Sequence, residues 1–176
     1  GGDFVNSVPA DVRMELYVRA KTMQAIDSTH SRVDAALKAG GDAIGAETQI
    51  VTLPGMMPLN CNRRMNELMV ENARKAYPDV DIKDAGHFSA STDMGDVSHL
   101  MPVIHPFIGG TDGLLHTGGF HVVDFEAAVL LPAKAFAMML VDLLVDDAKE
   151  AKGILADFKP ILTKEEYIAK MESYFG

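Results

Sequence analysis

The sequence holds a single cysteine, Cys61, among its 176 residues. One thiol excludes an internal disulfide and any zinc site that is built from several cysteines. A lone cysteine fits a reducing compartment, so we expect a cytoplasmic protein, although a chance thiol without a role explains the same observation.

Positive charge is also scarce. The chain has 16 Lys and Arg against 25 Asp and Glu, which gives a formal net charge of −9 and a pI near 5.0. A surface of this sign repels phosphate groups, so we expect neither nucleic acid nor an anionic membrane as a partner.

Long uncharged apolar runs are missing as well. The most apolar run, Phe125–Val145, contains Glu126, Lys134 and Asp142. A bilayer span needs ~20 residues that are nearly free of charge. The run therefore predicts a buried helix, with a kink at Pro132, rather than a membrane span.

The first third of the chain predicts a small sheet covered by one helix. Phe4–Val8 is a short apolar run, and Val12–Ala20 alternates between apolar and polar residues, as a strand with one buried face does. Thr22 can cap a helix from Met23 to about Ala39. Glu47–Leu53 reads as a third strand, which completes a β-β-α-β order.

A domain boundary is predicted at Pro54-Gly55, between residues 1–54 and residues 55–176. The second part predicts helices at Asn62–Ala76, Asp124–Leu144, Lys149–Phe158 and Lys164–Tyr174, with buried strand at Leu100–Ile104 and at Phe107-Ile108. Thr163 and Glu166 form a capping box for the last helix.

The stretch Ser91–Phe120 concentrates three aspartates, three histidines and six glycines between regular elements, as loops that build a site do. Three interpretations remain open. Asp and His can bind zinc or manganese, or Ser91 or Ser98 beside a histidine can act as a nucleophile. The residues can also be ordinary turn, cap and carbonyl-binding groups. No His-x-x-x-His pair and no Gly-x-Ser-x-Gly elbow decides among them.

Two motifs resemble a known family. Asn6-Ser7-Val8-Pro9 is followed by Tyr17-Val18-Arg19-Ala20, with Arg19 thirteen residues after Asn6. Ser91-Thr92-Asp93-Met94-Gly95-Asp96-Val97-Ser98 is followed by Pro102 and by His116-Thr117. Together these strings resemble the di-zinc aminoacylase and carboxypeptidase family of metallopeptidases and amidohydrolases, in its aminobenzoyl-glutamate hydrolase-like branch.

The resemblance implies an α/β (α+β) fold, with part of a ferredoxin-like lid (β-β-α-β) at residues 1–54 that also mediates dimerisation. Residues 55–176 would form the C-terminal α/β portion of a di-zinc exopeptidase catalytic domain. In the family most metal ligands and the glutamate base precede the lid, and this sequence has neither a His-x-Asp nor a Glu-Glu pair ahead of the lid residues. We therefore expect a C-terminal fragment of a longer protein, inactive alone, whose complete form is a homodimer.

The resemblance also implies roles for single residues. His116 matches the last metal ligand, and its alternative is a loop histidine that bonds a carbonyl. Asn6 and Arg19 match substrate-binding lid residues, because an arginine fork holds a carboxylate and an asparagine amide can donate to it; a surface charge on an edge strand is the alternative for Arg19. Three further residues are expected to orient the metal ligands without binding the metal themselves: Ser91, Asp93 and Asp96. The remaining histidines of the region are expected to be structural: His99, His105 and His121.

The function implied is hydrolysis of an amide bond by a water that two zinc or manganese ions activate. The substrate would be a small N-acyl amino acid, an aminobenzoyl-glutamate-like compound or a short peptide, held by its carboxylate. The alternative is a non-catalytic dimerisation or binding module that lacks the N-terminal metal-binding half.

Overall fold

The computed structural model describes residues 4–84, 86 and 89–175, and every predicted site residue lies within these ranges. The chain divides into two compact units, Gly1–Gly55 and Met56–Gly176. Each unit is described by itself. Their assignment as part of a lid and part of a catalytic domain stays a prediction.

The first unit contains one long helix, α1, at Met23–Ala43. It begins where the sequence predicts, because the Thr22 side chain accepts a hydrogen bond from the Ala25 N–H at 3.2 Å. The helix continues past Gly40-Gly41 and ends at Ile44. From its middle, the His30 ring contacts the Thr52 hydroxyl at 3.3 Å.

The three strands predicted in this unit are wrong. Phe4–Val8, Val12–Ala20 and Glu47–Leu53 contain no strand among the described residues. Alternation predicts a strand only where a partner completes the backbone ladder and a second layer covers the apolar face. Val12–Ala20 has no partner strand among the described residues. Its apolar face is also uncovered, since Val12 is 65% exposed and Met14 is 73% exposed. The ferredoxin-like lid, and with it the α/β class, stays a prediction.

The second unit is mainly helical. Its elements are α2 (Arg63–Ala76), α3 (Met94–Ser98), β1 (Thr111–Asp112), β2 (His121–Val122), a π-helical segment (Glu126–Leu130), α4 (Leu131–Asp157) and α5 (Lys164–Glu172). The predicted helices are confirmed. The predicted strands at Leu100–Ile104 and Phe107-Ile108 are wrong, because those residues form an irregular segment in which the Val103 carbonyl accepts the Asn62 N–H at 2.7 Å.

The core of the second unit lies between α2 and α4. Six buried side chains form it: Leu68, Met69, Ala73, Ala135, Met139 and Ile154. Asn72 is also buried, and its amide donates to the Leu68 carbonyl at 2.9 Å and to Asp142 Oδ2 at 2.7 Å. Both donor hydrogens of the amide therefore have acceptors, as a buried polar group requires.

The sequence predicts a kink at Pro132; the structure has a π-helical segment before this proline, and the break in the helix lies at residues 145–148 instead. Pro132 occupies the first turn of α4, and the π-helical segment Glu126–Leu130 lies just before it. Proline has no N–H to donate to the carbonyl four residues earlier, so the backbone widens there instead of continuing as a regular α-helix.

α4 itself breaks at residues 145–148. Val145 has ψ 160°, and the next three residues adopt left-handed conformations: Asp146 (φ 53°), Asp147 (φ 58°) and Ala148 (φ 56°). The parts before and after the break both pack on α2, through Ala135 and Met139 on one side and Ile154 on the other. The Arg64–Glu150 contact of 2.5 Å adds an ion pair to the second part.

The whole helical run Glu126–Asp157 is long and apolar enough, by length and composition, to cross a membrane. It is the one such run in the part of the chain that the structure describes. The predicted burial of this helix is wrong among the described residues, because only 11% of its most apolar window is buried. The absence of a membrane partner stays a prediction.

α5 begins with the predicted capping box. Thr163 Oγ1 accepts the Glu166 N–H at 3.2 Å, and the Glu166 carboxylate accepts the Thr163 N–H at 2.7 Å. This hydrogen bond to the Thr163 backbone lowers the pKa of Glu166.

Short helix α3 lies directly against the backbone of Met57. A Cβ added at Gly95 would overlap the Met57 carbonyl oxygen, so only glycine permits this approach. The Met57 N–H donates to Asp96 Oδ2 at 3.3 Å, which fixes the segment against the helix.

We expect Gly95→Ala to lower the free energy of unfolding by about 1–3 kcal/mol, because the methyl group forces two backbone segments apart. Gly153→Ala is the matched control. Gly153 is also helical, but an added Cβ there meets nothing within 4 Å, so this change should be neutral or stabilise by up to about 1 kcal/mol. Urea unfolding of both variants checks the difference, and equal effects would contradict the close approach.

The helix break makes a second prediction. Ala148→Gly should raise the free energy of unfolding by about 1 kcal/mol, since glycine removes the left-handed strain of a Cβ. Ala151→Gly, three residues later in the regular part of α4, should lower it by about 1 kcal/mol. Thermal unfolding of the two variants measures the opposite signs, and destabilisation by both would show that residue 148 is right-handed in solution.

Candidate functional site

The stretch Ser91–Phe120 divides into two parts with different surroundings. Residues 92–105 include α3 and pack against the rest of the second unit, with Gly95, Ser98, His99 and Val103 buried. Residues 111–123 form a hairpin whose side chains are all exposed. The polar residues of this region therefore do not form a single cluster.

The hairpin presents a loop between two short strands. β1 and β2 are antiparallel, with Thr111 opposite Val122 and Asp112 opposite His121. The Gly110 carbonyl accepts the N–H groups of Val123 (2.9 Å) and Asp124 (3.1 Å), which closes the base of the hairpin next to the π-helical segment. Gly110 (φ 83°) permits this closure, because its conformation is left-handed.

His116 lies in the loop of the hairpin, exposed and with φ 64°. Its ring makes no hydrogen bond or ion pair to any residue that the structure describes. The other described histidines all have partners: His30 (Thr52 and Asp34), His99 (Pro58 carbonyl), His105 (Thr92) and His121 (Gly119 carbonyl). His116 thus keeps both ring nitrogens available for a ligand.

The packed part forms a connection that we call the clasp, made by Asp96, Ser98 and His99. Ser98 Oγ donates to the Gly95 carbonyl at 2.5 Å and accepts the Asn60 N–H at 3.0 Å. His99 Nε2 donates to the Pro58 carbonyl at 2.9 Å. These bonds hold residues 57–60 on α3.

The clasp also reaches the C-terminal part of the chain. The His99 carbonyl accepts the N–H groups of Ile161 (2.9 Å) and Leu162 (3.2 Å). The Asp96 carboxylate lies close to the Tyr167 hydroxyl on α5. Burial raises the pKa of Tyr167, and the negative charge of Asp96 raises it further.

Two of the three residues that are predicted to orient metal ligands, Asp93 and Asp96, make hydrogen bonds at α3. Asp93 caps α3, accepting the Met94 N–H at 3.0 Å. Asp96 belongs to the clasp, and Ser91 is exposed. A further role of these three toward a metal stays a prediction. The sequence does not mark Ser98 as a member of the clasp or Tyr167 as a neighbour of Asp96, because the partner of each lies far away along the chain.

The predicted substrate-binding pair lies in the first unit. Asn6 is in an exposed turn, and Arg19 is exposed at the end of an extended segment. The Arg19 guanidinium lies 4.9 Å from the centroid of the Tyr17 ring, a cation–π contact that orients the fork. Asn6 and Arg19 belong to the first unit and His116 to the second.

The described residues contain no group of three or more His, Cys, Asp or Glu side chains that could hold a metal ion. A zinc site needs three or four protein ligands. The exposed, unpartnered His116 therefore fits one ligand of a metal centre, and the described chain does not supply the others.

Comparison with known proteins relates the chain to dipeptidases. It is 30% identical over 179 residues to an Xaa-Arg dipeptidase of Mus musculus, and 27% identical over 183 residues to an Xaa-Arg dipeptidase of Homo sapiens. The alignments cover 96% and 98% of this chain but 41% of each relative, so the chain spans about two fifths of their length. No protein-family model and no solved structure matches the chain. The similarity supports a distant relationship to peptidases, and thus to hydrolases.

Proposed function

We propose that this chain is part of a metal-dependent peptidase or amidohydrolase that cleaves the amide bond of a short peptide or a small N-acyl amino acid. The observation that carries the proposal is the similarity over nearly the whole chain to two Xaa-Arg dipeptidases. A dipeptide with a free C-terminal carboxylate is the substrate that these relatives suggest first.

In this proposal His116 supplies one imidazole to the metal centre. Three features of the residue support the role: its position in a hairpin loop, its exposure, and its lack of any partner among the described residues. The hairpin base, closed on the Gly110 carbonyl, fixes where the loop begins and ends. When bound, zinc or manganese would activate a water for attack on the amide carbonyl.

Arg19 and Asn6 would bind the carboxylate end of the substrate. An arginine fork donates two parallel hydrogen bonds to a carboxylate, and an asparagine amide adds a donor at the same group. The Tyr17 ring beneath Arg19 restricts the guanidinium and so lowers the entropy that binding must remove. A homodimer formed through the first unit and a cytoplasmic location also belong to the proposal.

The second candidate is a non-catalytic module that dimerises or binds a partner. It is favoured by the absence, among the described residues, of any group of three metal-binding side chains. Both candidates predict that the 176-residue chain by itself does not bind two zinc ions tightly, so the two must be separated in the complete polypeptide.

Replacement of His116 tests the metal role. In the complete polypeptide, His116→Ala should reduce bound zinc and should lower kcat/KM for dipeptides by at least about a hundredfold, because one ligand of the centre is lost. The matched control is His121→Ala. His121 is an exposed histidine of the same hairpin whose ring bonds a carbonyl two residues away, and its loss should leave metal content unchanged.

Metal content is read by elemental analysis of the purified protein, and activity by release of the free amino acid. Equal zinc content in the His116→Ala and unchanged proteins would contradict the ligand role. A complete polypeptide with neither zinc nor hydrolytic activity would favour the module.

Replacement of Arg19 tests the carboxylate role separately. Arg19→Ala should raise KM for dipeptides about tenfold to a hundredfold, since a hydrogen bond to a charged group contributes ~1.5–3 kcal/mol. KM for the corresponding dipeptide amides should change little, because they have no carboxylate to lose. Arg13→Ala, which removes another exposed arginine of the same segment, is the control. An equal rise in KM for dipeptides and for their amides would contradict the carboxylate-binding role of Arg19.

A further inference from the structure

The hairpin of the second unit contains the one Asp-Gly pair of the sequence, Asp112-Gly113, and the sequence has no Asn-Gly pair. Asp112 ends β1, and both residues of the pair are exposed. The Gly113 N–H lies outside the strand ladder, and its one partner among the described residues is Asp112 Oδ1, at 2.8 Å. The side-chain carboxyl group therefore lies against the peptide nitrogen that follows it.

The fold requires glycine after this aspartate. Gly113 has φ 89°, a left-handed conformation that side chains rarely adopt. A Cβ added there would also overlap the Gly119 carbonyl oxygen on the other side of the loop. The nitrogen beside the Asp112 carboxyl group is consequently the least hindered kind in a polypeptide, because no side chain stands next to it.

Two other aspartates meet only some of these conditions. Asp93 Oδ1 accepts the N–H of the next residue, Met94, at 3.0 Å, but a methionine side chain stands beside that nitrogen and the pair begins α3. Asp27-Ser28 is exposed and has a small second residue, but it lies inside α1. Helical hydrogen bonds there hold the peptide N–H groups and restrict backbone rotation. Of the three pairs, only the one in the hairpin combines the contact, an unhindered nitrogen and a backbone outside a helix.

We propose that Asp112-Gly113 is a site of spontaneous isomerisation, at which aspartate converts to isoaspartate. The Gly113 nitrogen attacks Cγ of the protonated Asp112 carboxyl group. The new N–Cγ bond closes a succinimide ring, and the carboxyl hydroxyl leaves with the proton of the nitrogen as water. Water then opens the ring at one of its two carbonyls. Opening at the backbone carbonyl leaves Gly113 joined to Cγ, which is isoaspartate, and opening at Cγ restores aspartate.

The conversion needs only water, and it is independent of the hydrolase proposal. It adds one methylene group to the main chain at the end of β1. Because β1 has two residues and Asp112 pairs with His121, an added backbone atom removes half of the strand pairing. The loop that holds His116 is then displaced, whether or not this histidine binds a metal.

Incubation of the 176-residue chain at neutral pH in heavy-oxygen water tests the proposal. Samples are digested with a protease that cleaves before aspartate but not before isoaspartate, and the peptides are identified by mass spectrometry. The bond before residue 112 should become resistant with time, and the resistant peptide should carry one heavy oxygen atom, because the ring opens by hydrolysis. Cleavage before Asp27 and before Asp93 should stay complete.

Asp112→Glu is the matched control. It keeps the carboxylate, but the longer side chain must close a larger and slower-forming ring, so residue 112 of this variant should take up no heavy oxygen. Equal uptake by the variant and the unchanged chain would contradict the mechanism, and so would equal conversion at Asp27 and Asp112.

The role of the folded hairpin is measured against the chain unfolded in guanidinium chloride. Conversion at residue 112 in the folded chain should proceed at more than about a tenth of the unfolded rate, because the hairpin leaves the pair accessible without opening. A folded chain that converts more slowly than this would overturn the proposal, since the fold would then protect the pair.

Discussion

The second unit depends on the close approach of α2 and α4. Ala135 is fully buried at this contact, and its small side chain lets the larger Leu68 and Met69 fill the space between the helices. Asn72 and Asp142 place one polar bond inside the same contact, which is satisfied only in one register of the two helices. The hairpin, the π-helical segment and the broken end of α4 are continuous with this pair of helices.

Local signals in the sequence predict the helices well and the strands poorly. Thr22, Thr163 and Glu166 mark helix starts through bonds that span three residues, and such short-range chemistry can be read directly from the chain. The alternation at Val12–Ala20 also has a local appearance, but a strand exists only when a distant partner pairs with it. The sequence does not reveal the clasp either, since Ser98 bonds Asn60 and Asp96 lies beside Tyr167 across long stretches of chain.

The candidate site shows which residues the fold uses and which it leaves available. Ser91–Phe120 looks uniform as a sequence, but the structure separates it into a buried connection and an exposed hairpin. His99 has a backbone carbonyl as its partner, and Asp93 has a helix end. His116 has neither among the described residues, and it is the residue that the family resemblance selects as a ligand. Helix α4 shows the same contrast, since Ala135 and Met139 are buried against α2 whereas Leu140 and Leu144 are exposed.

The position of the clasp partners along the chain determines the order in which contacts can form during synthesis. His99 receives the N–H groups of Ile161 and Leu162, so the ribosome must have added these residues before the bonds exist. α2 and the first part of α4 can pair earlier, because both leave the exit tunnel before residues 161 and 162 do. During that interval residues 57–60 are tied to α3 alone, while Tyr167 has not yet reached Asp96. The nascent protein therefore passes through a stage in which its helical pair is formed and its α5 connection is still open.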